Sequence, residues 1–172
     1  MTESIIFPKD LFESAQTLIE VLRPKKLRLV TAESCTGGLL SALLTEIPGA
    51  SKVFERGYIT YNNAAKIDLL TVPTLFVEKY GAVSSETALA MAEGALLASR
   101  AQVSIAITGV AGPAIDPLEK SMNEKPVGTV FIASACHLYQ TEQKHFFFNG
   151  SRSEIRIQAV RAALHMLLQH AF

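Results

Sequence analysis

A three-layer α/β/α sandwich with a mixed β-sheet is the fold class this sequence predicts, and three patterns predict it. Short apolar runs alternate with stretches of helical spacing, a hairpin pattern follows, and an amphipathic helix closes the chain. The 172 residues read as a single domain spanning 1–172, with no internal repeat, low-complexity tract or linker. Hydrophobic residues make up 49% and charged ones 19%, a balance that supplies a core and excludes intrinsic disorder.

Leu11, Phe12, Ala15, Leu18, Ile19 and Leu22 recur at helical spacing and predict a first helix ending before Pro24. A short strand over Leu27–Ala32 runs into Ser34-Cys-Thr-Gly-Gly38. Helical spacing resumes at Leu39, Leu40, Leu43 and Leu44 until Pro48-Gly49 stops it. Phe54–Tyr61 reads as a second strand and Asn63–Leu70 as a short helix. Ser84 or Ser85 caps a long helix reaching Arg100, with Glu86 beside its positive end. Its alanines (Ala88, Ala90, Ala92, Ala95, Ala98) permit close packing on a sheet. Val103–Thr108 is a buried-strand run that breaks at Gly109-Val-Ala-Gly-Pro113, and a polar segment spans Ala114–Lys125. Val127–Ala135 and Leu138–Phe148 predict a hairpin closed near Cys136-His137. Ser151-Arg-Ser-Glu154 has the capping-box form, and the helix it opens buries Val160, Ala163, Leu164 and Leu167.

Composition narrows the function. Sixteen basic residues meet sixteen acidic ones, so the surplus of cations that a nucleic-acid binder needs is missing. The densest basic stretch, Arg23 to Arg28, reads as a helix exit. No run approaches the ~18 apolar residues that cross a bilayer, and the opening residues carry acids and Pro8 where a secretory signal needs an apolar run. A cytoplasmic protein without membrane or nucleic-acid partners is expected. Cys35 and Cys136 are too few and too far apart for a disulfide framework or zinc site, so neither metal nor cofactor is expected.

Three polar loops each follow a predicted strand, where ligands gather in open α/β sheets. In Glu33-Ser-Cys-Thr-Gly-Gly38, a serine leaves a strand just ahead of a helix, and Gly37 and Gly38 let an anion approach backbone N–H groups. The plainer reading of the same residues is a helix cap through Ser34 or Thr36. In Thr60-Tyr-Asn-Asn-Ala-Ala-Lys66, Tyr61 and Lys66 are spaced to face Ser34, although a lone lysine is ordinarily a solvated one. Thr108-Gly-Val-Ala-Gly-Pro113 is either a phosphate cradle or a simple strand exit. Dinucleotide and phosphate-loop fingerprints are absent, as is Ser-x-x-Lys. None of the four histidines lies in a glycine-rich loop, so a lysine is the better partner for a nucleophilic Ser34.

These loops together resemble the CinA C-terminal domain family. The matching runs are Thr31–Gly38, Phe54–Gly57, Thr60-Tyr61 with Asn63 and Lys66, Tyr80–Ser84, Thr108–Pro113, Lys125–Thr129 and Phe148–Arg156, spread over about residues 10 to 170. The family includes nicotinamide mononucleotide deamidases of bacterial pyridine-nucleotide salvage, and the resemblance is to their stand-alone form. It implies an amidohydrolase that converts nicotinamide mononucleotide to nicotinate mononucleotide and ammonia. On the matching positions, Ser34 is implied as nucleophile and Lys66 as base, with Tyr61 and Thr108 as polar catalytic partners. Thr36, Gly37, Gly38, Asn63, Gly109, Gly112 and Arg152 are implied near the substrate. Two departures stand out: the longer, glycine-free Ala114–Glu124, and Asn62 and Ala64 where relatives often carry serine and glutamate. The altered loop supports a rival reading, a binding or regulatory domain of the same fold without turnover.

The chemistry implied is acyl transfer. A neutral Lys66 takes the Ser34 proton, Tyr61 relays it or holds the lysine, and N–H groups near Gly37-Gly38 receive the oxyanion. Cys35 offers a thiol alternative, with a side chain that a helix start aims elsewhere. The first helix and the apolar face of the last offer packing surface for a homo-oligomer.

Overall fold

The computed structural model describes residues 6–113, 125–137 and 139–170. The Ala114–Glu124 segment therefore lies outside the described residues. Five strands form one mixed sheet in the order β2-β1-β3-β4-β5. They are β1 (Leu29–Glu33), β2 (Phe54–Ile59), β3 (Val103–Gly109), β4 (Thr129–Cys136) and β5 (Tyr139–Phe147). β1 pairs in parallel with both β2 and β3, while β4 pairs antiparallel with both β3 and β5. Among the described residues six α-helices cover the faces: α1 (Lys9–Leu22), α2 (Leu39–Thr45), α3 (Asn63–Leu70), α4 (Thr74–Tyr80), α5 (Ser85–Leu97) and α6 (Arg152–Gln169).

Strand alternation divides the core in two. Leu29, Val103, Ile105, Ile107, Val130 and Ile132 meet the apolar stripes of α1, α2 and α6. On the other face Val30, Ala32, Ala106, Ala133 and Ala135 meet Leu70 and the alanines of α5. Small residues on both sides let α5 lie close to the sheet, and Ser104 Oγ donates to the Ala92 carbonyl at 2.7 Å across that seam. Gly94 serves a second close approach, of α5 to the end of α3. A Cβ there would lie 2.9 Å from the Leu70 carbonyl carbon and clash with its oxygen. Gly94→Ala is expected to destabilise the fold by about 1–3 kcal/mol, read as a lowered denaturant midpoint, because rigid backbone opposes the added methyl.

The sandwich and most of its elements follow the sequence pattern, with differences at the ends. β1 starts at Leu29 rather than Leu27, β2 stops at Ile59 rather than Tyr61, and α5 stops at Leu97 short of Arg100. Ser84, not Ser85, caps α5 by accepting from the Thr87 N–H. The Ser151–Glu154 capping box forms as its spacing predicts. The α4 helix and the 3-10 turn at Ala50–Lys52 were not foreseen. Phe76, Val77 and Tyr80 form a half-buried face, but seven residues with Leu75 exposed among them are too few to read as a helical period.

This topology places the site. From β1 the chain crosses to β2 on one side, then returns to β3 on the other, so the exit of β1 is a switch point flanked by both neighbours' exits. Ser34 leaves β1 there, α3 follows β2, and residues 110–113 follow β3.

Candidate active site

Lys66 is a lysine buried to 1% exposure. Asn62 caps α3 through its side-chain oxygen, which accepts from the Ala65 N–H at 2.8 Å, and this sets Lys66 one turn into the helix, pointing inward. The departure at position 62 thus keeps a good capping residue. Lys66 Nζ lies 2.8 Å from the Thr60 carbonyl, 3.2 Å from the Tyr61 carbonyl and 3.1 Å from Ser34 Oγ. Among the described residues no carboxylate forms an ion pair with it. Burial therefore pulls its pKa from 10.5 down to about 8. In the neutral amine, two N–H bonds satisfy the Thr60 and Tyr61 carbonyls. The lone pair is left for Ser34 Oγ, the geometry of a base beside its proton donor.

The turn from Ser34 to Gly38 differs from the expectation. Gly37 (φ +58°) and Gly38 (φ +90°) both take left-handed backbone, which their lack of a side chain permits. Their N–H groups do not face a ligand: that of Gly37 donates to the Ser34 carbonyl and that of Gly38 to Glu33 Oε2. The buried Glu33 carboxylate also accepts from the Leu40 and Ser41 N–H groups, so the protein's own anion fills the start of α2. Thr36, Gly37 and Gly38 accordingly stand outside the cleft lining, and the oxyanion role expected of Gly37 and Gly38 is corrected. Sequence reasoning missed Glu33. The available signal was a helix start whose N-cap, Gly38, has no side chain to cap with.

A cleft of about 300 Å³ opens beside the pair. Ser34, Cys35, Tyr61, Asn63, Lys66, Thr108, Gly109, Gly112 and Arg152 line it, with Ala82 and Val83 as a wall that sequence reasoning did not assign. Tyr61 meets the lysine through its backbone carbonyl, while its side chain is 64% exposed. The hydroxyl relay expected of it is replaced by a main-chain contact that holds the amine. Thr108 is buried and donates from Oγ1 to the Ala82 carbonyl at 2.8 Å, tying the loop before α5 to the exit of β3. Gly109 has no room for a side chain, because a Cβ would lie 2.7 Å from the Thr129 carbonyl oxygen. The Arg152 guanidinium packs on Gly112, within 2.9 Å of where a Cβ would stand. Arg152 and Lys66 are the cationic lining residues, and no described lining residue is acidic.

Cys35 does line the cleft, contrary to the expectation that it would point elsewhere. Burial pushes its thiol up to about 11, so it stays protonated and is a poor nucleophile. Cys35→Ser is expected to keep activity within about threefold of the original, checked by steady-state turnover. A larger groove of about 560 Å³ lies between α1, β5 and α6, remote from this pair; its Arg161 is held by Asp10 at 2.7 Å.

The fold and site together define a three-layer α/β protein with a serine and a buried lysine at the switch point of its sheet. The CinA C-terminal domain model matches residues 12–171, and the chain belongs to that family. It is 44% identical over 152 residues, 88% of its length, to a putative competence-damage inducible protein of Caldicellulosiruptor bescii. It is 49% identical over 148 residues, 86% of its length, to a CinA-like protein of Syntrophobacter fumaroxidans. The chain spans 36% and 34% of those two relatives, about a third of their length. Among solved structures, it is similar to the competence/damage inducible protein CihA from Agrobacterium tumefaciens, with a TM-score of 0.89 and 44% identity over 96% of this chain and 98% of that one. A CinA superfamily protein from Escherichia coli gives a TM-score of 0.86 and 36% identity over 97% and 95% of the two chains. No helix among the described residues is long and apolar enough to cross a membrane.

Proposed function

We propose that the cleft hydrolyses the carboxamide of nicotinamide mononucleotide, giving nicotinate mononucleotide and ammonia through an acyl-enzyme on Ser34. One observation carries this reading: a buried lysine amine without a carboxylate partner lies 3.1 Å from a serine hydroxyl at the floor of a cleft. Neutral Lys66 takes the Ser34 proton as Oγ attacks the amide carbon, and the resulting ammonium gives that proton to the departing nitrogen. Water then attacks the ester, giving a proton to Lys66, which returns it to the departing Ser34 Oγ as nicotinate mononucleotide is released.

The N–H groups of Cys35, Ala111 and Gly112 belong to cleft residues and donate to no other described residue. They take the oxyanion role in this mechanism, each such donor contributing roughly 3 kcal/mol in comparable sites. Arg152, an exposed cation without an acidic partner among the described residues, is suited to the substrate phosphate. Ammonia release from nicotinamide mononucleotide tests the reading. Turnover by the wild type that Ser34→Ala loses supports it; no release by the wild type, or equal release by both, overturns it.

The substrate's pyridinium charge adds an electrostatic consequence. Placed beside Lys66, it disfavours the ammonium form and lowers the amine's pKa below about 8. The acidic limb of kcat, which reports the complex, is expected at lower pH than that of kcat/KM, which reports the free enzyme. The reverse order in a pH–rate series contradicts the placement of that charge beside Lys66.

A further inference from the structure

We infer that Glu33 is a positioning residue for acyl transfer at Ser34, braced in turn by a Ser41–Thr31 hydroxyl pair that fits because residue 57 is glycine. The inference rests on the proposed Ser34–Lys66 reaction and extends it to residues that never meet substrate. Strand alternation puts Thr31 and Glu33 on one side of β1, and Ser41 of α2 meets both.

The Glu33 carboxylate accepts four hydrogen bonds. Gly38 N–H at 3.0 Å and Leu40 N–H at 3.1 Å reach Oε2, while Ser41 N–H at 2.9 Å and Ser41 Oγ at 2.7 Å reach Oε1. Every partner is a donor, and four is the full complement of a carboxylate. A glutamine amide would have to turn its NH2 against two donors on one side or the other. Because Ser41 gives its proton to Glu33, the 2.7 Å contact between Ser41 and Thr31 has Thr31 as donor.

Gly57 of β2 stands opposite Thr31 in the parallel register. A Cβ there would lie 2.8 Å from Thr31 Oγ1 and clash with Ser41 Oγ. A side chain on the edge strand thus pushes the hydroxyl pair onto the carboxylate. Glu33 immediately precedes Ser34, and the turn it anchors includes two left-handed glycines. Other tethers of that turn include the Ser34 N–H on the Ile107 carbonyl at 2.9 Å and the Arg156 guanidinium on the Thr36 carbonyl at 2.7 Å. Release of the α2 start leaves the Ser34 hydroxyl free to drift from the amine, and proton transfer depends steeply on that reach.

The test is active-site titration of the full chain with a fluorophosphonate that labels serine, read as labelled fraction and as rate constant, beside kcat and KM for nicotinamide mononucleotide. Glu33→Gln is expected to label to the wild-type fraction at a rate about 10–100-fold lower, with kcat falling in step and KM within about threefold. Gly57→Ala, remote from substrate, is expected to shift the same quantities in the same direction by about 3–30-fold. A lowered labelled fraction with an unchanged rate constant means that Glu33 only holds the fold, and overturns the inference. Wild-type rates in both variants overturn it as well. If Glu33→Gln does not fold, Gly57→Ala decides alone on the same readouts. A wild type that takes no label at Ser34 defeats the dyad reaction itself, and this inference with it.

Discussion

Alanine at position 34 is expected to cut ammonia release from nicotinamide mononucleotide by about 10⁴-fold or more while leaving the fold in place. The magnitude follows from the proposed mechanism, in which the serine oxygen forms the covalent bond and its loss removes the path that Lys66 serves. The structural cost is small. Ser34 Oγ contributes the 3.1 Å contact to Lys66 and a long 3.4 Å bond to the Tyr61 carbonyl, and the lysine keeps its carbonyl partners when the hydroxyl goes. A stability change of about 1 kcal/mol or less is expected in denaturant unfolding. Residual turnover within tenfold of the wild type would instead mean direct attack by water on the amide.

Lys66→Met is the second large effect and has two signatures. Methionine is of similar length but has no basic nitrogen, so turnover is expected to fall about 10⁴-fold. Arginine does not rescue, since guanidinium stays protonated at working pH. The other signature is thermodynamic. The lysine pKa is about 8 in the folded protein and 10.5 in its ordinary state, so between those values the unfolded chain binds more protons. Stability therefore rises with pH across that window, by about 3 kcal/mol in total, and the whole penalty is present below pH 8. In Lys66→Met that rise is expected to disappear from a series of denaturant curves between pH 7.5 and pH 10.5. An unchanged slope would mean that the amine carries no burial penalty.

Much of this molecule was legible because its elements are ordinary ones. The α1 stripe from Leu11 to Leu22, the alanines of α5 and the capping box at Ser151 each state their local structure in residue types, and each forms. Ser34 and Lys66 were legible as candidates from loops that follow strands, and the fold brings them together. The rest depends on contacts at long range or on the main chain. Glu33 looked like one more polar residue in a glycine-rich loop, and only the direction of its side chain shows that it occupies the helix start. Tyr61 invited a role for its phenol, yet the atom that touches the amine is a carbonyl that every residue type possesses. Gly57 and Gly94 read as neutral until the neighbouring backbone and hydroxyls are in place.

The oxygen atoms around the lysine have a consequence for how this protein tolerates change. Thr60, Tyr61 and Asn62 all present main-chain oxygens to the amine, at 2.8, 3.2 and 3.5 Å. At Tyr61, whose residue is largely exposed and meets the amine only through its carbonyl, chemical identity is thereby uncoupled from the electrostatics of the base, provided the turn keeps its path. Mutational drift at Tyr61 can retune the rim that greets a ligand while the proton acceptor beneath it goes on unaltered.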